Sequence, residues 1–362
     1  MRNIRFNNQT DYFYTTLVKR VNEYFITNQK PRYANSGMKI KIIFFFSAMG
    51  VFYAMLLNSG DNYLKICIMG FLFGIFSFLT ALNIAHDAAH GAISNKKSIN
   101  NVCLYVLNLI GINSYIWKLK HLLSHHTFPN VMGTDADIGE SKIGRLIPNA
   151  QWKWFCKYQS FYIPILYLFY SAHWVLFKDF KNFKTLRVPN KDVLKHPPIE
   201  YLILIIGKLF ALMITFVIPL VCLKLSLLQA ICLFFIMHLG PGLFVALFLA
   251  PGHLNSAVTY PLPDKNGMLN TTWSEHQVIT TVDFSTDNIF FNFFLGGFNH
   301  HVSHHLFPTV CHCHYPKITP IVKKTAAEFN IKYQSTNFTH LFSLHIAHLK
   351  SMGIREFEYD VL

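Results

Sequence analysis

Charge is scarce in this chain. Charged side chains make up 14% of its 362 residues and hydrophobic ones 52%, whereas soluble domains carry about a quarter charged residues. With 35 Phe and 17 Tyr in addition, this excludes an ordinary soluble enzyme and a disordered or collagen-like chain. Acid is scarcer than base. Eighteen Asp and Glu stand against 32 Lys and Arg, a net charge of +14, so surfaces outside a membrane are basic and suit anionic headgroups or acidic carrier proteins. No nucleic-acid partner is expected. The first 38 residues lack the apolar core of a signal peptide, and no internal repeat or low-complexity linker occurs. Cysteines number seven, an odd count with three in very apolar runs, which suits reduced core residues better than a disulfide framework.

What the chain has in place of charge is long apolar runs. Four are long enough to cross a bilayer, which takes about 20 residues: roughly 42–58, 64–85, 199–223 and 226–251. Short hairpins join the first to the second and the third to the fourth. A fifth run, 161–177, has Lys157 before it and Lys178, Lys181 and Lys184 after it. Positive charge belongs on the cytoplasmic side, so both ends want the same side and the run reads as an interfacial helix; 102–116 reads the same way. Residues 1–41 carry eight Lys or Arg, 86–160 eight, 178–198 six and 252–362 seven, leaving only Lys65, Lys208 and Lys224 elsewhere. The expected architecture is an all-α integral membrane protein, one domain over 1–362. Four transmembrane helices carry interfacial helices and a cytoplasmic cap of 86–198 and 252–362, with both termini cytoplasmic.

The other abundance is histidine, 19 residues, gathered where the spans leave the membrane. His86 and His90 stand at i and i+4, which share a helix face and can reach one metal. His121 and His125 repeat that spacing; His126 lies about 100° further round, facing a second metal or the same one from the side. His253 follows Pro251-Gly252, which should end the fourth span. His301, His304 and His305 put three rings on one face. His173, His196, His276, His300, His340, His345 and His348 read as ordinary surface or core residues, and Cys311-His312-Cys313-His314 is too tight for a zinc knuckle. All the boxes fall on one side of the membrane, which points to one metal centre. Nine neutral imidazoles exceed a tetrahedral zinc site and suit two irons with open positions.

At these boxes the chain resembles the membrane fatty acid desaturases, histidine-box diiron enzymes, and most closely the bacterial linoleoyl-CoA-type and front-end acyl desaturases. The resemblance rests on His86-Asp87-Ala88-Ala89-His90-Gly91, on Trp117 to Asn130 with Gly133-Thr134-Asp135-Ala136-Asp137, and on Gly296-Gly297-Phe298-Asn299-His300-His301-Val302-Ser303-His304-His305-Leu306-Phe307-Pro308. It implies that His86, His90, His121, His125, His126, His301, His304 and His305 hold two irons, with His253 as an extra ligand. It also implies that Asp87, Asp135 and Asp137 orient imidazole N–H groups. The implied reaction is O2-dependent insertion of a cis double bond into an acyl-CoA or acyl-lipid chain, with electrons from a separate ferredoxin or small b-type cytochrome and its reductase. A bacterial inner membrane fits this better than the endoplasmic reticulum.

The chain departs from its relatives in four places. Front-end members carry Gln at the position of His301 and Glu at that of Ser303; stearoyl-type relatives have Asn where Leu249 stands; and no His-Pro-Gly-Gly haem motif occurs, so no fused haem domain is expected. Gly240-Pro241-Gly242 inside the fourth span marks a kink that either opens a slot for the methylene chain or serves packing. Lys208 and His238, ionisable within spans, are functional suspects, although Lys208 can snorkel. The rival readings are a hydroxylase or acetylenase on the same centre, and a His-rich metal transporter.

Overall fold

The computed structural model describes residues 4–138, 141–185, 188–189 and 195–356. Arg187 and Lys191, part of the basic stretch 178–198, lie outside the described residues.

Helix α1 (Tyr12–Thr27) precedes the first apolar helix, α2 (Ser36–Leu57), and its hairpin partner, α3 (Tyr63–Ala89). Two bent pairs follow: α4 (Lys97–Leu109) with α5 (Ser114–His125), bent by 105°, and α6 (Trp154–Leu168) with α7 (Tyr170–Thr185), bent by 64°. The second apolar hairpin is α8 (Pro198–Cys222) and α9 (Leu227–His253). The remaining helices form a cap: α10 (Trp273–Ile279), α11 (Ile289–Phe294), α12 (His301–Leu306), α13 (Tyr315–Glu328) and α14 (Phe338–Met352). Two short parallel strands, β1 (Asp283–Phe284) and β2 (Ser335–Thr336), tie the start of α14 to the segment before α11.

Among the described residues, four helices, α2, α3, α8 and α9, are long and apolar enough to cross a membrane, and up to six segments would be if each bent pair were a single span. The chain is an integral membrane protein of helical fold. Neither 102–116 nor 161–177 forms a straight rod. In the first, Gly111 takes a left-handed φ of 79° and Asn113 restarts the helix by accepting the Ile116 N–H at 2.9 Å; in the second the break falls at Phe169.

The central helices are α3 and α9, and glycine lets them touch. A Cβ at Gly74 would lie 1.8 Å from the Met237 carbonyl oxygen, and one at Gly240 would lie 2.5 Å from Ile75 Cγ1. A Cβ at Gly242 would fall 2.0 Å from the Leu168 carbonyl oxygen. The space beside Gly240-Pro241-Gly242 is thus filled by neighbouring helices, so of the two readings of that motif the structure favours packing. Lys208 does not snorkel. Its buried Nζ lies 2.7 Å from Asp179 Oδ2 and also donates to the Gly111 carbonyl. His238 Nδ1 meets Ser171 Oγ at 2.9 Å.

Outside the spans, the core lies between α1, α12 and α13. Phe13, Leu17, Val21 and Phe25 repeat at helical spacing and bury one face of α1 against Val302, Leu306, Ile318 and Val322. The polar face of α1 stays in solvent, as an amphipathic helix requires.

Candidate metal centre

Local backbone geometry aims the histidines. Three of the box segments carry a π-turn, a form of helix often found at functional sites: Ala81–Ala85 directly before His86, His121–His125 itself, and Val245–Leu249 before His253. The α9 helix therefore runs through Pro251-Gly252 and ends after His253, two residues beyond where Pro-Gly was expected to stop it.

The nine box rings assemble into two adjoining groups. His86, His90, His121, His126 and His304 offer ring nitrogens within 4.8 Å of one another, and so do His125, His253 and His305. His301 completes the second group, its ring 4.2 Å from that of His253 and 4.9 Å from that of His305. His126 and His305, stacked at 4.4 Å, stand where the groups meet.

As the i, i+4 spacing predicts, the His121 and His125 rings stack 5.5 Å apart, and with Asp137 they form a further group of possible ligands. The π-turn of this box also closes from His126 N–H to the His121 carbonyl at 2.9 Å, five residues apart, so His126 comes into line with His121 as well. The three rings of α12, by contrast, do not share one group: the helix lies between the groups, sending His304 to one and His301 and His305 to the other.

Hydrogen bonding shows which ring nitrogens are left for a ligand. Tyr315 gives its hydroxyl hydrogen to the Phe307 carbonyl at 3.3 Å, so its oxygen accepts from His304 Nδ1–H at 3.2 Å. Gln277 Oε1, an acceptor only, takes His305 Nδ1–H at 2.9 Å. That leaves His304 Nε2 and His305 Nε2 as buried lone pairs with no hydrogen-bond partner. His125 Nδ1 donates to both oxygens of Asp135 at 3.1 Å. His121 Nε2 lies 3.1–3.2 Å from Nε2 of His86, His90 and His126, more neighbours than one N–H can satisfy. Two imidazole nitrogens each ~2.1 Å from one ion and at right angles would be ~3.0 Å apart. The donor set fits bound metal.

The electrostatics favour neutral, ligating rings. Burial holds His301 down to about 3 and His121 to about 4, and keeps His126, His304 and His305 well below the ordinary imidazole range. His125 differs: burial opposes its charge, but the Asp135 carboxylate outweighs that and lifts the ring above its usual value.

The three aspartates divide. Asp135 orients His125. Asp137 pairs with buried Lys120 and lies 3.8 Å from His121 Nδ1 and 3.9 Å from His125 Nδ1. Asp87 turns away from the boxes and accepts from His312 Nδ1–H at 2.8 Å, while the Lys41 ammonium donates to His312 Nε2 at 2.8 Å. Both ring nitrogens of His312 are thus engaged, and the residue links α2, α3 and the cap; Asp87, Cys311 and His312 also lie close enough together to form a third, smaller group of possible ligands. His276, His345 and His348 contact backbone carbonyls of Pro129, Leu254 and Leu146. Gln277 and Tyr315 were not legible as site residues; neither belongs to a box, and only the fold brings them to a ring.

The profile described as fatty acid desaturase matches residues 61–337. An acyl-lipid (8-3)-desaturase of Physcomitrium patens is 30% identical over 355 residues, covering 97% of this chain and 74% of the relative. Acyl-lipid (8-3)-desaturase B of Dictyostelium discoideum is 31% identical, covering 94% and 75%. An sn-1 linoleoyl-lipid 6-desaturase of Synechocystis is 29% identical, covering 89% and 90%. Helices that span a membrane, histidine groups that can bind metal and these likenesses agree: the chain belongs to the fatty acid desaturase family.

Proposed function

We propose that this oxidoreductase inserts a cis double bond into an acyl chain of a membrane lipid, using O2 and electrons from a separate donor. The observation that carries the reading is the division of nine imidazoles, eight buried and that of His90 half-buried, into groups of five and four, with unpartnered nitrogens among them. His86, His90, His121, His126 and His304 would hold one iron and His125, His253, His301 and His305 the other. Two irons so held supply O2 activation, the chemistry no side chain provides.

The protein's own part is to orient and shield. Asp135, Gln277 and Tyr315 fix the tautomers of His125, His305 and His304, so the lone pairs point inward. Phe298, with its ring 5.3 Å from that of His86 and 5.6 Å from that of His301, covers the centre with an apolar face. Acyl-lipid substrates are favoured over acyl-CoA because the relatives are named acyl-lipid desaturases. A metal transporter buries its ligands near the midplane, whereas these rings stand at and beyond the ends of α3 and α9. With the centre at that end, both termini and the cap are cytoplasmic.

A host making this protein should accumulate fatty acids lighter than their precursors by two hydrogen atoms, and only in air. A main product heavier by one oxygen atom would make it a hydroxylase; loss of four hydrogens would indicate an acetylenase or repeated desaturation. Zinc in place of iron in the purified protein would defeat all three.

A ferredoxin or small b-type cytochrome is the proposed electron donor. Lys317, Lys323 and Lys324 are exposed along α13, behind the third box, and give an acidic donor a basic docking edge. Reversing all three charges should slow reduction by the donor, and the association rate should fall steeply with salt. Unchanged rates would move docking elsewhere.

A further inference from the structure

Helix α12 delivers the third box to both histidine groups, yet the residue that opens it does not cap it. His300 makes no side-chain hydrogen bond to the first turn. Its ring is committed elsewhere, with Nδ1 at 2.8 Å from Thr319 Oγ1 and Nε2 at 2.9 Å from Asn292 Oδ1. The first N–H groups of a helix have no partner within it, and here they belong to His301 and Val302, both buried.

The missing partner comes from outside the box. Asp283, on β1, is buried, and its Oδ1 accepts the Val302 N–H at 2.8 Å. The His301 N–H lies within hydrogen-bonding reach of the same carboxylate. A carboxylate in this place satisfies the free donors and suits the positive end of the helix dipole. Asp283 is itself fixed from two sides. Its backbone N–H donates to the Gln334 carbonyl at 3.1 Å, beside the pairing of β1 with β2, and the Tyr333 hydroxyl donates to Oδ2. Because α12 sends His304 to one group and His301 and His305 to the other, a slide or roll of this helix displaces rings in both at once.

We propose that Asp283 is a positioning residue of the metal centre: clamped by Tyr333, it fixes where α12 begins and so holds His301, His304 and His305 in register with their groups. Asp135, Gln277 and Tyr315 each turn one ring, whereas Asp283 acts on the backbone and sets all three. The proposal rests on the desaturase reading for the identity of the metal.

The iron-loaded full chain would be challenged with a ferrous chelator and its iron loss timed. Asp283→Ala should speed that loss by roughly 10–100-fold, as removal of a group behind metal ligands typically does. Asp283→Asn should stay close to the parent rate, because its amide oxygen still accepts the Val302 N–H. Tyr333→Phe should fall between the two, and it decides alone where Asp283→Ala does not fold. Asn62→Ala is the stability control: it removes a cap of the same kind, the bond from the Lys65 N–H to Asn62 at 3.0 Å, at the end of α3 away from His86. It should lower the unfolding temperature without hastening iron loss. A second readout does not depend on how much protein is folded, namely double bonds formed per O2 consumed. Rings out of register should lower that ratio in Asp283→Ala, whereas a merely structural loss would leave it unchanged. Iron loss from Asp283→Ala no faster than from Asn62→Ala would overturn the proposal, as would an Asn variant as leaky as the Ala variant. Zinc in the purified protein would defeat the desaturase reading, while zinc loss in the same order would still support the positioning of α12.

Discussion

Alanine at His125 or His304 should abolish turnover and strip metal from the protein. The two residues test different groups, since His304 stands among five rings and His125 among those of the second group. Each is held from behind, by Tyr315 or by Asp135, so its inward nitrogen is already positioned before metal binds. Loss of one donor opens a gap that no neighbouring side chain fills. Removing even a supporting partner of a metal ligand costs ~10–100-fold in affinity or activity, and a ligand should cost more. Because metal ligands act as a unit, either single change should come close to the loss seen in the double variant. Metal content by mass spectrometry is read beside turnover. Exposed His340 on α14 is the control, and its alanine variant should keep both. A His125 or His304 variant that retains its full metal would remove that ring from the ligand set.

The histidine boxes and the four apolar runs were legible because each is a local pattern with a strong physical meaning. A run of apolar residues has few places to go except lipid, and histidines clustered at span ends imply a shared ligand. Which rings share a group was only partly legible. The i, i+4 rule assumes 3.6 residues per turn, and nothing in His121-Leu122-Leu123-Ser124-His125-His126 announces the wider turn that puts His121 and His126 in one group. Gly240-Pro241-Gly242 left two readings because small residues mark either a cavity or a close contact; only the carbonyl of Leu168 decides for contact. Asp87 misled through proximity: it neighbours His86 in sequence, yet its partner is His312, 225 residues away.

Asp179→Ala should be among the most destabilising single changes outside the histidine groups. Lys208 and Asp179 form a buried ion pair, and Asp179 takes more than the lysine: its carboxylate also accepts the Asn113 N–H at 2.8 Å and Trp174 Nε1–H at 2.7 Å. One side chain thus joins α8, the break between α4 and α5, and α7. Removing one member of a buried pair typically costs about 3–5 kcal/mol, because the other is left charged and poorly solvated. Lys208→Met should cost less than Asp179→Ala, since Asp179 would keep two N–H donors whereas Lys208 without Asp179 would keep only the Gly111 and Trp174 carbonyls. Thermal unfolding in detergent should rank the proteins in that order, and pairing Lys208→Met with Asp179→Leu should recover part of the loss, as buried pairs replaced by apolar residues often do. The effect should reach the metal as well. Asn113 caps the helix that carries His121 and His125, so loosening its N–H anchor lets those rings drift from their groups, and metal retention should fall along with the unfolding temperature. Equal stability of all the variants would mean that the pair is solvated in the membrane-bound protein and braces nothing.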